Sequence, residues 1–537
     1  MSGALKRLLH KRERIQAAAA AGLALCLCPS FSSAQVLRVT TRLVEVRVVA
    51  QTRQGEPAAN LTQDDFTVLD EGHPQRIAFF RTESSSTVPG SPPRLPPNVF
   101  SNRGADVSSG ATVILFDGLN TQLSDQAYAR QQILKFLQGL QPGDRVALYV
   151  MGRGPRVLQD FTPDATALVK ALASYKGGAS ASLDAPLYDP AVSGAAHWEA
   201  WLGELSFRLY DYYGEDRAFR TIRALIAIAN HLESLPGRKN LIWVSGSFPV
   251  SLSGNSVPAP RKLAAGERQA SPEVERAARA LNRANLAIYP VDARGLMAAQ
   301  EYVGPLTKPE LRNPDTSEFA NMQTLADRTG GRAFYNNNDL TAALRRAADD
   351  SRFIYVLGYY PSHKDWKGKF HKIEVQVRRP DVEIHYRRGY FAQSDEPADS
   401  WYRQQVLDST LWSPVDATAL GLTVAVRPAA AGGLDLALQL GPRDIAFERK
   451  QDKWACDLDL WLVQLDQKER QCKTDAHTNN LMLDQATYDR VMQANGLMVV
   501  EHVNPAPEAM LLRILVRDVA SGALGSLTVP LGRFSQK

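Results

Sequence analysis

Ala111-Thr-Val-Ile-Leu-Phe-Asp117 is an unbroken apolar run that ends on a carboxylate. The loop Gly118-Leu-Asn-Thr121 follows, and then an amphipathic helix over Ser124–Leu140. A continuous apolar strand belongs to a sheet covered on both faces. A carboxylate at the carboxyl end of such a strand lies in the crevice where open α/β sheets bind ligands. Thr121, four residues on, offers a hydroxyl that can share one small, hard cation with Asp117.

The chain on either side keeps the strand–helix alternation. Strands are expected at 111–116, 144–151, 156–161, 239–244, 286–291 and 332–335. Helices are expected at 124–140, 164–174, 219–235, 272–285, 317–329 and 340–351. Ser271-Pro272-Glu273 supplies a cap, a proline at the first helical position and an early acid. Ile222, Leu225, Ile226, Ala229 and Leu232 make one apolar helical face. The implied fold is a doubly wound α/β (Rossmann-like) domain over 110–352.

The flanks read differently. Residues 1–34 have a basic start, a short Ala/Leu-rich run and Ser32-Ser33-Ala34, the pattern of a secretory signal. The run is shorter than the ~20 apolar residues a membrane span needs, so the chain is not expected to be transmembrane after cleavage. Five of the 62 basic residues and one of the 57 acidic residues fall in this segment, leaving a remainder close to neutral. The basic balance is therefore no argument for nucleic acid. Residues 35–83 read as a small β unit, 84–109 as a Ser/Pro-rich linker without a core, and 353–393 as antiparallel strands that pack with the first unit. Residues 394–417 read as a connector and 418–537 as a β-rich, sandwich-like domain. Outside the signal, Cys456 and Cys472 remain, and an exported pair favours a disulfide. A tight turn at 466–469 would instead set Cys472 opposite residue 463, so that bond needs a wider loop or another strand order.

Several stretches, in order, resemble the von Willebrand factor type A domain, and more narrowly the secreted bacterial VWFA-related proteins of the acidobacterial type. They are Leu61-Thr-Gln-Asp-Asp-Phe66 with Val68-Leu-Asp-Glu-Gly72, Phe116-Asp-Gly-Leu-Asn-Thr121, and Arg238-Lys-Asn-Leu-Ile-Trp-Val-Ser-Gly246. Ile288-Tyr-Pro-Val-Asp-Ala-Arg-Gly295 and Tyr355-Val-Leu-Gly-Tyr-Tyr-Pro361 continue the series, with Phe370-His-Lys-Ile373 and Arg388-Gly-Tyr390 after them. The likeness covers 36–393. It implies a metal-ion-dependent adhesion site in which hydroxyls and carboxylates hold Mg²⁺ (or Mn²⁺ or Ca²⁺) and a partner protein's acidic side chain completes the shell. Carried over position by position, the ligands are Asp117, Thr121, Ser180 (or Ser182 from the same Gly177–Ser182 loop) and Ser245. The pattern is degenerate: Leu119 replaces a hydroxyl and Ser245 stands where a carboxylate is expected. Asn120 and Asp292 lie on the same edge as further ligand-binding candidates; Asp292 could equally pair with Arg294.

Residues 183–218 read as an insertion, with Trp198, Trp201, Leu202, Leu205 and Leu209 at helical spacing and Tyr212 among the aromatics behind them. No His-Glu-x-x-His pair, Gly-x-Ser-x-Gly elbow or phosphate loop is present, and the histidines read as surface or satisfied structural residues. The chain is read as a non-enzymatic, secreted or periplasmic protein of the cell envelope that mediates protein–protein adhesion. A hydrolase with an unrecognised site, at Ser245 or in the C-terminal domain, and a metal-free scaffold are the alternatives.

Overall fold

β1 (Val44–Thr52), β2 (Phe66–Asp70), β3 (His73–Gln75), β4 (Ile77–Ser84) and β5 (Val99–Ser101) lead the chain. The alternating unit follows: β6 (Thr112–Asp117), α1 (Leu123–Gln138), β7 (Val146–Met151), β8 (Pro155–Thr162), α2 (Ala165–Ser174), α3 (Trp198–Leu232), β9 (Lys239–Ser245), α4 (Pro272–Arg283), β10 (Leu286–Asp292), α5 (Pro314–Thr329) and α6 (Leu340–Asp349). β11 (Phe353–Tyr359), β12 (Phe370–Val377), β13 (Val382–His385) and β14 (Gly389–Phe391) come next. β15 (Leu422–Pro428), β16 (Leu434–Leu440), β17 (Glu448–Lys450), β18 (Lys453–Leu465), β19 (Gln471–Leu483), α7 (Gln485–Gln493), β20 (Leu497–Val503), β21 (Leu511–Asp518) and β22 (Leu524–Pro530) complete it. The computed structural model describes residues 43–534 apart from 85–94, 104–110, 179–197, 249–271, 296–313, 393–409 and a few single positions. The signal segment, most of the linker, Ser180 and most of the connector lie outside the described residues.

The central sheet has the order β10-β9-β6-β7-β8, parallel except for β8 at one edge. All residues of β6, β7, β9 and β10 are buried. Alternate residues serve opposite faces: Val113 and Leu115 pack with Ile222, Leu225 and Leu281, while Ile114 and Phe116 pack with Ile133, Leu168 and Leu344. Each such side chain contributes about 1.5–3 kcal/mol by leaving water. This is the doubly wound α/β sheet expected from the sequence. The chain runs from β6 outward through β7 to β8, then returns to β9 on the other side of β6. That reversal places the carboxyl ends of β6 and β9, and hence Asp117 and Ser245, at the switch point.

Two elements of the α/β unit differ from expectation. α3 is one continuous helix of 35 residues, so part of the 183–218 insertion is the same helix as the expected 219–235 segment. Gly214 costs a helix interior only about 1 kcal/mol, which long flanking turns absorb. The sixth strand shrinks to a single bridge, Val291 to Phe334, held by Phe334 N–H to Pro290 O at 2.8 Å and Asp292 N–H to Phe334 O at 2.9 Å.

Around this sheet sit two β layers. β13-β1-β11-β4 and β14-β12-β2-β3 face each other over Val46, Val48, Phe66, Val68, Tyr355, Leu357, Ile373 and Val375. The N-terminal strands and the 353–393 segment therefore share one sandwich. The C-terminal sandwich pairs β20-β16-β15-β5 with β17, β18, β21 and β22, and β19 flanks β18. β5 comes from the stretch read as a coreless linker, and Asn102 anchors it by donating to Ala417 O and Leu420 O at 2.7 and 2.9 Å.

The disulfide is corrected: Cys456 and Cys472 are both free thiols. β18 and β19 form a long hairpin in which Cys456 faces Leu481, whereas Cys472 sits at the bulge beside Gln464 and Leu465. The two cysteines stand near opposite ends of the ladder. Burial, with Asp518 and Asp457 nearby, pushes the Cys456 thiol up to about 12.

Lys239 opens β9 fully buried, its ammonium donating to Leu235 O at 2.8 Å. Burial, reinforced by Arg47, lowers its pKa to about 7. Between that value and about 10 the unfolded chain holds a proton that the folded chain has released. Stability is therefore expected to rise with pH across this window. Urea midpoints at pH 7.5 and 9.5 should differ in wild type and converge in Lys239→Met.

Candidate functional site

Asp117 ends β6 with no exposed surface, and its carboxylate is turned into the switch-point loop. Oδ1 accepts the backbone N–H groups of Leu119 and Asn120, both at 3.0 Å. Oδ2 accepts the Asn120 amide at 2.9 Å, the Trp243 indole N–H at 2.8 Å and the Ser245 hydroxyl at 2.9 Å. The neighbours are tied in as well. Thr121 Oγ1 accepts Gly246 N–H at 2.9 Å, and the Asn120 amide also donates to Thr221 Oγ1 at 2.9 Å. Gln126, on α1, donates to Thr121 O at 2.9 Å and Gly178 O at 3.1 Å, joining this loop to the second one. Burial raises the Asp117 pKa, and the bonds from Asn120, Trp243 and Ser245 work against that rise.

The sequence-predicted residues thus converge: Asp117, Asn120, Thr121 and Ser245 form one buried network. Ser180 lies outside the described residues, as does the side chain of Tyr212, whose backbone belongs to α3. Asp292 is on the same edge but is engaged by Arg294, which donates its backbone N–H and Nε to Oδ1 and Nη2 to Oδ2 at 2.9–3.0 Å.

The Asp117 carboxylate is saturated by hydrogen bonds from the protein itself. A carboxylate has about four lone-pair positions, and Asp117 already receives five hydrogen bonds. Around it stand mostly N–H groups, with Ser245 Oγ and the buried Asn120 Oδ1, unpartnered among the described residues, as the oxygens nearby. Thr121 and Ser245 are hydrogen-bonded within the loops as well. Of the expected ligand set Asp117, Thr121, Ser180 and Ser245, the three described members form a hydrogen-bonded latch that ties the loop after β6 to the loop after β9. Sequence reasoning missed Trp243, whose indole replaces a metal as the counterpart of the carboxylate. Its signal was present, since Trp243 lies two residues before Ser245 and so shares its face of the strand.

No family model and no curated protein matches the chain. Among solved structures, it is similar to an aerotolerance-related membrane protein from Bacteroides fragilis at 14% identity, covering 44% of this chain and 98% of that one with a TM-score of 0.25. It is also similar to the ArnB paralog VWA2 from Sulfolobus acidocaldarius at 10% identity, 87% and 75% coverage and a TM-score of 0.23. A von Willebrand factor type A protein from Catenulispora acidiphila matches at 10% identity, 59% and 73% coverage and the same TM-score of 0.23. At such scores nothing about the site follows from these likenesses.

Proposed function

We propose that the chain is an exported protein-interaction module of the type A kind, which engages a partner of the cell envelope at the carboxyl edge of its central sheet without a metal ion. One observation carries this reading: the hydrogen bonds to Asp117 use up the carboxylate and hold the edge loops in a fixed shape. A rigid edge reduces the entropy lost on docking. Above the latch, Gln122, Leu123 and Ser124 are exposed at the start of α1, and Leu123 keeps 52% of its surface in water. An apolar side chain raised on a rigid polar rim is the kind of anchor that protein interfaces bury.

The hydrolase reading has less support. The Ser245 hydroxyl is buried, its one proton shared between Asp117 Oδ2 at 2.9 Å and Ser247 O at 2.8 Å, and no imidazole is among its described partners. Its environment holds it as a buried donor to a carboxylate that four other hydrogen bonds already engage. Among the described residues, no helix is long and apolar enough to cross a membrane.

The test is capture from an envelope extract of the producing cells with the mature chain as bait. The same partner should be retained with and without chelator, and Leu123→Asp should weaken its binding about 10-fold or more while unfolding is unchanged. Release by chelator that Mg²⁺ reverses would restore the metal-dependent reading at the sheet edge. Ester or peptide turnover abolished by Ser245→Ala would replace binding with catalysis.

A further inference from the structure

The first sandwich carries a second polar cluster, remote in sequence from the switch point. Asp70 ends β2 opposite Ile373, and His371 lies two residues before Ile373 on the neighbouring strand β12. Period-two alternation puts both residues of β12 on the inner face, where His371 is opposite Tyr390 of β14. His363 arrives from the segment after β11, and its ring stacks on that of His371 with centroids 3.9 Å apart. One ligand atom from each of Asp70, His363 and His371 lies within 4.8 Å of the others.

The carboxylate is divided between two tasks. Tyr359 and Tyr390 both donate to Oδ2 at 2.9 Å. Oδ1 has no hydrogen-bond partner among the described residues, although the side chain is only 2% exposed, and it lies 3.8 Å from His371 Nδ1. Both ring nitrogens of His371 likewise lack hydrogen bonds among the described residues, and that ring is nine-tenths buried. A buried carboxylate oxygen facing a buried imidazole nitrogen with no proton donor for either is costly.

We propose that Asp70, His363 and His371 bind one first-row divalent metal ion of the zinc class, which ties β2, β12 and the segment after β11 together. Two imidazoles and one carboxylate form a donor set that suits Zn²⁺ and is poor for Mg²⁺ or Ca²⁺. The tyrosine hydroxyls orient the carboxylate through its other oxygen, as groups behind metal ligands commonly do. Ligand atoms around tetrahedral zinc stand roughly 3.3 Å apart, given bonds of about 2.0–2.1 Å. The three groups must therefore draw together by about half an ångström to an ångström and a half. The histidine rings must also fan out from their present 16° interplanar angle, because each ligating ring points its nitrogen at the ion in its own plane. The Nε2 of His363, now 2.6 Å from the Tyr390 hydroxyl, exchanges that contact for the metal.

The experiment uses the mature chain stripped with chelator and then given Zn²⁺ or Co²⁺ alone. A single equivalent should bind, Co²⁺ should show the visible absorption of a low-coordinate site, and Zn²⁺ should raise Tm. Asp70→Asn and His371→Gln should each weaken the affinity by about 100-fold, while Ser245→Ala keeps it. If His371→Gln fails to fold, wild type alone is decisive: no retained ion after dialysis and no shift in Tm overturn the site. Loss of the ion in Ser245→Ala with retention in His371→Gln would move it to the sheet edge and also overturn the proposal.

Discussion

Asp117→Ala should lose about 3–5 kcal/mol of folding stability, the scale seen when one member of a buried charged network is removed. The substitution leaves the Trp243 indole, one hydrogen of the Asn120 amide and two backbone N–H groups without their acceptor, in a place that no water reaches, while Ser245 falls back on Ser247 O. Each orphaned donor costs about 1–3 kcal/mol, less than additively because the loops relax together. Asp117→Asn should be nearly as damaging, because its amide N–H₂ would face some of those same donors. Denaturant unfolding measures the loss. The near-ultraviolet circular dichroism of Trp243, which packs edge-on to Phe248 at 4.9 Å, reports whether the latch itself has opened. A metal-ligand role predicts the reverse in metal-free buffer, since removing an uncompensated buried carboxylate then relieves the fold. Stability equal to or above wild type would therefore sink the latch.

The sequence made the location of this network legible but not its chemistry. Apolar runs at 111–116 and 239–244, each ending in a polar residue, are enough to bring Asp117 and Ser245 to one edge of a parallel sheet. The loss of hydroxyl and carboxylate at Leu119 and Ser245 already marked a weakened cation site. What remained hidden was the number of donors converging on Asp117, because Trp243 is 126 positions away and no local pattern couples the two. The same holds for Asp70, His363 and His371. The one local sign was His371, which occupies an apolar-phase position in Phe370-His-Lys-Ile-Glu-Val375, where Ile373 and Val375 point inward. The cysteines failed for a different reason. Compartment chemistry argued for a bond, but a ladder register of Cys456 to Leu481 keeps the sulfurs apart. β5 was invisible because its short apolar stretch sits among prolines and serines, and its pairing strand lies some three hundred residues further on.

Gly331→Ala should be among the most damaging substitutions in the chain, costing about 3 kcal/mol or more, at or beyond the upper end for overpacked cores. A Cβ at this position would stand 1.9 Å from Ile288 O and 2.7 Å from Ile288 C, both backbone atoms of β10 that have no rotamer to change. Gly330 before it takes φ +81, and both glycine N–H groups return to Ala326 O, closing α5. The pair lets the helix end lie directly on the central sheet. It also forms the junction with the first sandwich: Arg238 donates to Gly330 O and, at 2.8 Å, to the Tyr289 hydroxyl. Tyr289 and Gln51 in turn donate to the buried Asp350 at 3.0 and 2.6 Å, and Arg388 N–H reaches Asp327 O at 2.9 Å. A methyl group at 331 therefore pushes α5 off β10 and disturbs the hydrogen bonds that seat the sandwich against the α/β sheet. Urea unfolding should show a lower midpoint and a separation of the sandwich transition from that of the α/β sheet. A midpoint within about 0.5 kcal/mol of wild type, the range of an ordinary surface change, would mean that this close approach does not exist in the folded protein.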